Sequence, residues 1–332
     1  MVCCLSLISC KSETKVIERI GNASYKVVTD SIYSSMPGSI FYQKGYLYWH
    51  DAISSENIIH VLDVETGSEI ASFGNIGMGP KEFVQPILSL SFYNGLYLTD
   101  LEKGLRALAK INSETDSLEL FFQSCRKEEL VTDLLHVYDD VSLYFKPDND
   151  KPFELCLDGF IYQGGNWPIQ EKIINGFEVF QGAISYNPQN SCLVYSTYAF
   201  PYTAVYKLRN NEISLLKEIK FNVNYSIAQN ELKLDKDNPK GIIELGLTNK
   251  YIVMLQRDVE VEGELPKAKY SRDISTLPHS LFIYDYELNL KKVINMPFPM
   301  LRLCGDVMTN KIYVMSVNPE YALICFDLEH LL

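Results

Sequence analysis

Histidine is scarce in this chain and basic residues are outnumbered: 5 His, and 30 Lys+Arg against 42 Asp+Glu, for a formal net charge of −12. That deficit excludes nucleic acid as a partner, because no basic stripe is available to neutralise a phosphate backbone. The histidines His50, His60, His136, His279 and His330 are scattered without metal-ligand spacing. No Cys-x-x-Cys pair occurs among the 8 cysteines, so neither a zinc site nor a thioredoxin-like dithiol has support. No apolar run approaches the roughly 18 residues needed to span a bilayer. Helical patterning is nearly absent, and only Ser226 to Leu234 and Glu128 to Leu135 read as short helices.

What remains is a chain of 332 residues with 47% hydrophobic content, enough for one large core. A domain of roughly 300 residues hides about three quarters of its unfolded surface and needs no covalent staple. Three cysteines, Cys3, Cys4 and Cys10, fall in the first ten residues. In the body, Cys156 and Cys325 occupy matching places in matching strands and read as small core hydrophobes.

A four-residue apolar strand after a short polar turn recurs along the body. Its copies begin at Tyr46, Leu96, Val141, Cys192, Tyr251 and Ile312. The early spacing is roughly the 40 to 50 residues of a four-stranded propeller blade. Each copy is followed by a second strand, starting at His60, Leu105, Leu155, Val205, Phe282 and Ile324. Four of these end in Asp63, Asp158, Asp285 and Asp327, whose carboxylates are suited to bonding the backbone of the next turn. Most units then add a further strand, as in Ser117 to Phe122, Ile213 to Ile219 and Leu290 to Ile294. The last unit stops without one, while the chain start holds unpartnered strands around Val16 to Ile20 and Tyr25 to Val28. The expectation is an all-β, six-bladed β-propeller of four-stranded antiparallel blades, its ring closed by an N-terminal strand that removes an exposed edge.

One glycine-rich stretch stands between the first two units: Phe73-Gly74-Asn75-Ile76-Gly77-Met78-Gly79-Pro80-Lys81-Glu82-Phe83-Val84-Gln85-Pro86. Its spacing is wrong for a dinucleotide fingerprint, and no Ser or Thr follows Lys81 as in a Walker A loop. It reads as a tight connector between two sheets. The stretch resembles the Gly-x-x-Gly-x-Gly-Pro-x-Glu-Phe signature of six-bladed β-propeller lipoproteins of Bacteroidetes, of a TolB-like or NHL-like kind and of uncharacterised function. The sharp motif occurs once, although the blade grammar covers most of Ser39 to Leu332. The resemblance implies an envelope protein held by lipid, in the outer membrane and facing the periplasm or the cell surface. Leu7-Ile8-Ser9-Cys10 agrees with that, since it looks like a lipobox with Cys10 as the lipidated residue, followed by the polar Lys11-Ser12-Glu13-Thr14-Lys15. The expected division is residues 1–14 as signal remnant and tether, and 15–332 as the propeller.

Candidate function is weaker in the sequence than fold. His50 and Asp51 follow the first apolar strand, Asp100 and Asp148 follow similar ones, and all four are candidates to line a central channel. Tyr198, Phe200 and Tyr202 form an aromatic cluster in an expected loop. Asp258 to His279 interrupts the fifth unit with a charged stretch that has no counterpart elsewhere, and its Lys267, Lys269 and Arg272 are candidate partner contacts. No catalytic constellation is visible. The sequence therefore predicts a monomeric binding module for a protein or glycan, with no cofactor, no metal and a membrane link through lipid only. The competing expectation is a propeller enzyme, a metal-dependent lyase or hydrolase with its site at the channel mouth.

Overall fold

The computed structural model describes residues 17–91, 95–112, 114–115, 117–128, 130–138, 141–157, 159–270 and 273–332. Cys10, Asp158 and Arg272 lie outside these. Two short strands come first, β1 (Arg19–Gly21) and β2 (Lys26–Thr29). Antiparallel meanders follow in chain order. The first is β3 (Pro37–Gln43), β4 (Tyr46–Asp51), β5 (Glu56–Asp63) and β6 (Glu69–Asn75); the second is β7 (Ile87–Ser91), β8 (Gly95–Asp100), β9 (Leu105–Asn112) and β10 (Ser117–Ser124). Next come β11 (Asp133–Tyr138), β12 (Val141–Phe145), β13 (Phe153–Leu157) and β14 (Phe160–Gly164), then β15 (Gly182–Asn187), β16 (Cys192–Thr197), β17 (Tyr202–Arg209) and β18 (Glu212–Lys220). A small hairpin, β19 (Tyr225–Ala228) and β20 (Glu231–Leu234), precedes β21 (Glu244–Leu247), β22 (Tyr251–Gln256), β23 (Ser280–Asp285) and β24 (Leu290–Asn295). The chain closes with β25 (Met300–Gly305), β26 (Lys311–Val317) and β27 (Tyr321–Asp327).

This last sheet has only three strands of its own, and β2 supplies the fourth. Lys26 pairs with Cys325 and Val27 with Ile324, antiparallel. The other N-terminal strand, β1, runs parallel to β24 as a fifth strand, with Arg19 beside Val293. Both edges that the terminal sheets would otherwise expose are thus covered.

Apolar clusters bind each sheet to the next. Ile58, Ile59 and Val61 of β5 pack with Leu96, Leu98 and Ala107 of the second meander. The final sheet returns to the first, as Tyr313, Met315 and Leu323 pack with Ile40, Leu47 and Trp49. Such facing layers of four-stranded blades, closed last onto first, are a β-propeller. Strands in the middle of a blade are sandwiched between two neighbours and read as unbroken apolar runs, and β8, β12 and β16 are buried along their whole length.

The glycine-rich stretch is the connector the sequence predicts, joining the outer β6 to the inner β7. The Glu82 carboxylate turns back to accept the Gly79 N–H at 2.6 Å. A Cβ on Gly77 or Gly79 would collide with that carboxylate, and Gly74 sits at φ +86° with Ile58 2.9 Å from where a Cβ would stand. Lys103 donates to the carbonyls of Gly79 and Glu82. Phe83, 1% exposed, enters the core between the two sheets. Burying a side chain of that size stabilises by roughly 1.5–3 kcal/mol.

Both expected helices are absent. Ser226 to Leu234 falls in the β19–β20 hairpin, where Tyr225 pairs with Leu234, and Leu135 belongs to β11. β-branched and aromatic residues alternate too little there to separate the two periods, and the hairpin is fixed by packing, with Leu232 buried and Asn175 bonding its backbone on both sides. The turn readings hold at Asp63, which accepts the Glu65 and Thr66 N–H groups, and at Asp285 and Asp327. Cys156 and Cys325 are half-buried, and the described cysteines are free thiols.

Candidate functional site in the central cavity

The innermost strands β3, β7, β11, β15, β21 and β25 surround one cavity of about 490 Å³. Neighbouring inner strands run the same way, as in the parallel bridge between His136 and Ser91. Their first residues therefore share one rim of the ring. Asp133 opens β11, Glu244 opens β21, and Arg302 stands third in β25. Antiparallel meandering brings the turn between β16 and β17 to the same rim, with Tyr198 in it.

These groups face one another. Glu244 accepts from Arg302 Nη1 at 2.9 Å, and Asp133 Oδ1 accepts the Leu134 N–H at 2.8 Å. Burial pushes the Asp133 carboxyl up to about 7; the Leu134 N–H opposes the rise and the charge of Glu244 adds to it. Burial likewise pushes Glu244 up to about 7 against the pull of Arg302. The Tyr198 phenol is raised, first by burial and then by the charges of Glu244 and Asp133. Two carboxyls that titrate near neutrality within a cavity make a site candidate.

Tyr198 is held from both sides, its N–H given to Gln181 O and its carbonyl accepting Gly241 N–H, each at 3.0 Å. A Cβ on Gly241 would overlap the Thr197 carbonyl, so only glycine lets the incoming chain approach so closely. Aromatic rings line the wall as well, from Phe41, Tyr42 and Tyr186, with Tyr42 stacked on Tyr313 at 4.6 Å between centroids. Leu88, Leu90, Leu135 and Leu245 make the remainder largely apolar.

The sequence candidates are distributed differently. The apolar strands that precede His50, Asp51, Asp100 and Asp148 are the second strands of their blades, one position outside the cavity wall. His50 sits behind β3, in space left by the missing Cβ of Gly38, and burial lowers its pKa, with Asp51 opposing and Arg302 adding to the fall. Asp51 accepts Ser34 Oγ at 3.0 Å and the Ile53 N–H at 3.2 Å. Asp100 is fully buried and binds the N–H groups of Val84 and Lys103, fastening the glycine-rich connector. Asp148 accepts the Phe177 N–H at 2.7 Å. None of the four is among the cavity-lining residues. The aromatic cluster also divides: Tyr198 reaches the cavity, whereas Phe200 and Tyr202 are core residues at 1% and 2% exposure, Tyr202 bonding Glu218. Lys267 and Lys269 are exposed on the insert.

Sequence pattern does not single out Asp133, Glu244 or Arg302. The signal available for the two carboxyls is modest: each is a charged residue at the start of the less apolar strand that precedes an apolar one. The insert from Asp258 to His279 is more ordered than a free loop, with a single helical turn α1 at Val259–Glu262 and a 3₁₀ turn at Ile274–Thr276. Three of its carboxylates, Asp258, Glu260 and Glu262, are paired with arginines. Asp258 meets Arg19 at 2.9 Å, and Glu262 accepts the His279 N–H at 2.9 Å and the Ser280 hydroxyl and lies 3.4 Å from Arg257 as an ion pair. An open cleft of about 670 Å³ runs beneath it, between Arg257, Pro266, Ile274 and Met296.

No protein-family model matches the chain, and no curated protein matches it. Among solved structures it is similar to the Cps50 (Swd1) β-propeller domain of Myceliophteria thermophila, 11% identical over 88% of this chain and 97% of that one, with a TM-score of 0.45. The strand pairing, not that likeness, defines the fold here. Among the described residues no helix is long and apolar enough to cross a membrane, and no three His, Cys, Asp or Glu gather as a metal site.

Proposed function

We propose that this chain is a six-bladed β-propeller of the cell envelope, anchored through lipid at Cys10, that binds a glycan in its central cavity. The observation that carries the glycan reading is the open-mouthed cavity of about 490 Å³, lined by Phe41, Tyr42, Tyr186 and Tyr198 together with Asp133 and Glu244. Sugars are recognised by that combination of flat apolar faces and convergent hydrogen-bonding groups. The six inner strands support the blade count. The anchor is supported by the lipobox-like Leu7 to Cys10 and the polar tether after it. A protein partner is the other occupant considered, and the same measurements separate the two.

A glycan array followed by calorimetry on the full chain tests the site. Tyr198→Ala is expected to weaken the best glycan at least tenfold; undiminished affinity, or binding only to proteins, removes the reading. Cys10→Ala tests the anchor by loss of palmitate labelling in a host that lipidates its exported proteins.

The raised carboxyls favour one further reading, an acid–base enzyme in the same cavity, since a group titrating near 7 is able both to give and to take a proton. Turnover of a glycoside panel, abolished by Glu244→Gln, would establish it.

A further inference from the structure

We propose that the ligand of the central cavity carries a positively charged amine, bound at the rim between Asp133 and Glu244. The inference rests on the glycan reading above and narrows it to an amino sugar.

Charge bookkeeping at the rim carries the argument. The groups facing Asp133 are Glu244 from β21 and Tyr198 from the β16–β17 turn; Arg302 from β25 faces Glu244 and Tyr198, and His50 on β4 lies within electrostatic reach of Arg302. Burial keeps the imidazole of His50 and the phenol of Tyr198 uncharged at neutral pH. The rim's guanidinium is committed to Glu244 at 2.9 Å, so Asp133 is left without a cationic partner. Asp133 Oδ2 receives no hydrogen bond from a described residue, while Oδ1 is held by the Leu134 N–H. An ammonium group supplies what is missing: one positive charge and three N–H donors. Tyr198 lines the same rim, and an aromatic ring there is suited to a cation or a sugar plane.

The consequence is a coupled proton. An empty rim near neutrality keeps part of its carboxyl population protonated, as the raised values of both groups require. An arriving ammonium favours the ionised form, so binding expels a proton to solvent, and acid weakens binding. A neutral sugar exerts no such pull.

Calorimetry on the full chain, run in buffers of different ionisation enthalpy at pH 5.5 and 7.0, compares glucosamine, N-acetylglucosamine, glucose and propylamine. The expected result is preference for glucosamine over both neutral sugars, proton release on binding, and an affinity about tenfold higher at pH 7.0. In Asp133→Asn the pH dependence should shrink to what Glu244 contributes and glucosamine affinity fall at least tenfold, with the melting temperature reporting that the variant is folded. Equal binding of the three sugars without proton release would overturn the amine and leave the glycan reading standing. Propylamine binding without sugar binding would keep the amine and remove the glycan. Failure of all four probes to bind would overturn both.

Discussion

Four partly or fully buried carboxylates lie on one face of this propeller, and they are treated in two ways. On the insert, Asp258 and Glu262 are saturated: each has an arginine, and Glu262 also takes backbone N–H groups and a hydroxyl. At the cavity rim Glu244 has Arg302, whereas Asp133 has no arginine, and its Oδ2 has no protein donor among the described residues. Saturated carboxylates hold chain to chain. An unpaired one in a cavity, as Asp133 is, has bonding capacity left over, and the proposed amine would use it. The insert looks the more functional region in the sequence because it is charged and unique, yet its inward charges are spent on its own anchorage.

The largest expected effect comes from removing the N-terminal strands. Deleting residues 1–30 strips β1 and β2 from their sheets and leaves Asp258 buried without Arg19. Loss of cooperative unfolding, or a fall in melting temperature beyond about 10 °C, is expected, since each lost kcal/mol moves the midpoint of a large domain by about 2–4 °C. Deleting only 1–12 should leave the midpoint unchanged. Equal midpoints for the two truncations would break the account of ring closure.

Next comes Glu262→Ala, which leaves the His279 N–H and the Ser280 hydroxyl without their acceptor and Arg257 without its carboxylate, though still bonded to the carbonyls of Ser275, Thr276 and Leu277. Breaking a buried pair costs roughly 3–5 kcal/mol, and urea denaturation should approach that range. A loss below about 1 kcal/mol would mean the insert is not anchored as described.

Asp133→Asn should act in the opposite direction, and only at higher pH. Unfolded, Asp133 loses its proton near the ordinary carboxylate value of about 4; folded, it holds the proton up to about 7. Its effect on stability is therefore absent below about pH 4, and it becomes fully unfavourable above about pH 7. Each pH unit between the unfolded and folded values is worth roughly 1.4 kcal/mol. Asp133→Asn should accordingly be more stable than the parent by a few kcal/mol at about pH 8 and equal to it near pH 4. A variant destabilised at both pH values would assign Asp133 to structure instead.

The smallest effect is expected at the tip of the insert. Replacing Glu264 to Tyr270 with a Gly-Ser linker of equal length removes exposed side chains, and the cost should stay within about 0.5 kcal/mol. Excising all of Val259 to Pro278, by contrast, would also remove Glu262 and the Pro278 carbonyl that accepts the Met300 N–H, so the insert is dispensable only at its tip.

Much of the fold is legible without coordinates, because sandwiched strands must be apolar on both faces and their turns need Gly, Asn or Asp. The sequence by itself determined the strand repeat, the Asp-closed turns, the glycine-rich connector and the borrowing of an N-terminal strand, since all of these are local rules or counting rules. It also led the count astray by one strand: the most apolar strand of a blade is the second, packed on both sides, whereas the wall of the cavity is the less apolar strand before it. Tertiary structure alone decided the site. Asp133, Tyr198, Glu244 and Arg302 come from four different blades and are far apart along the chain, so no spacing connects them; only closure of the ring brings their charges within reach of one another, and only burial there lifts two ordinary carboxyls to the edge of neutrality.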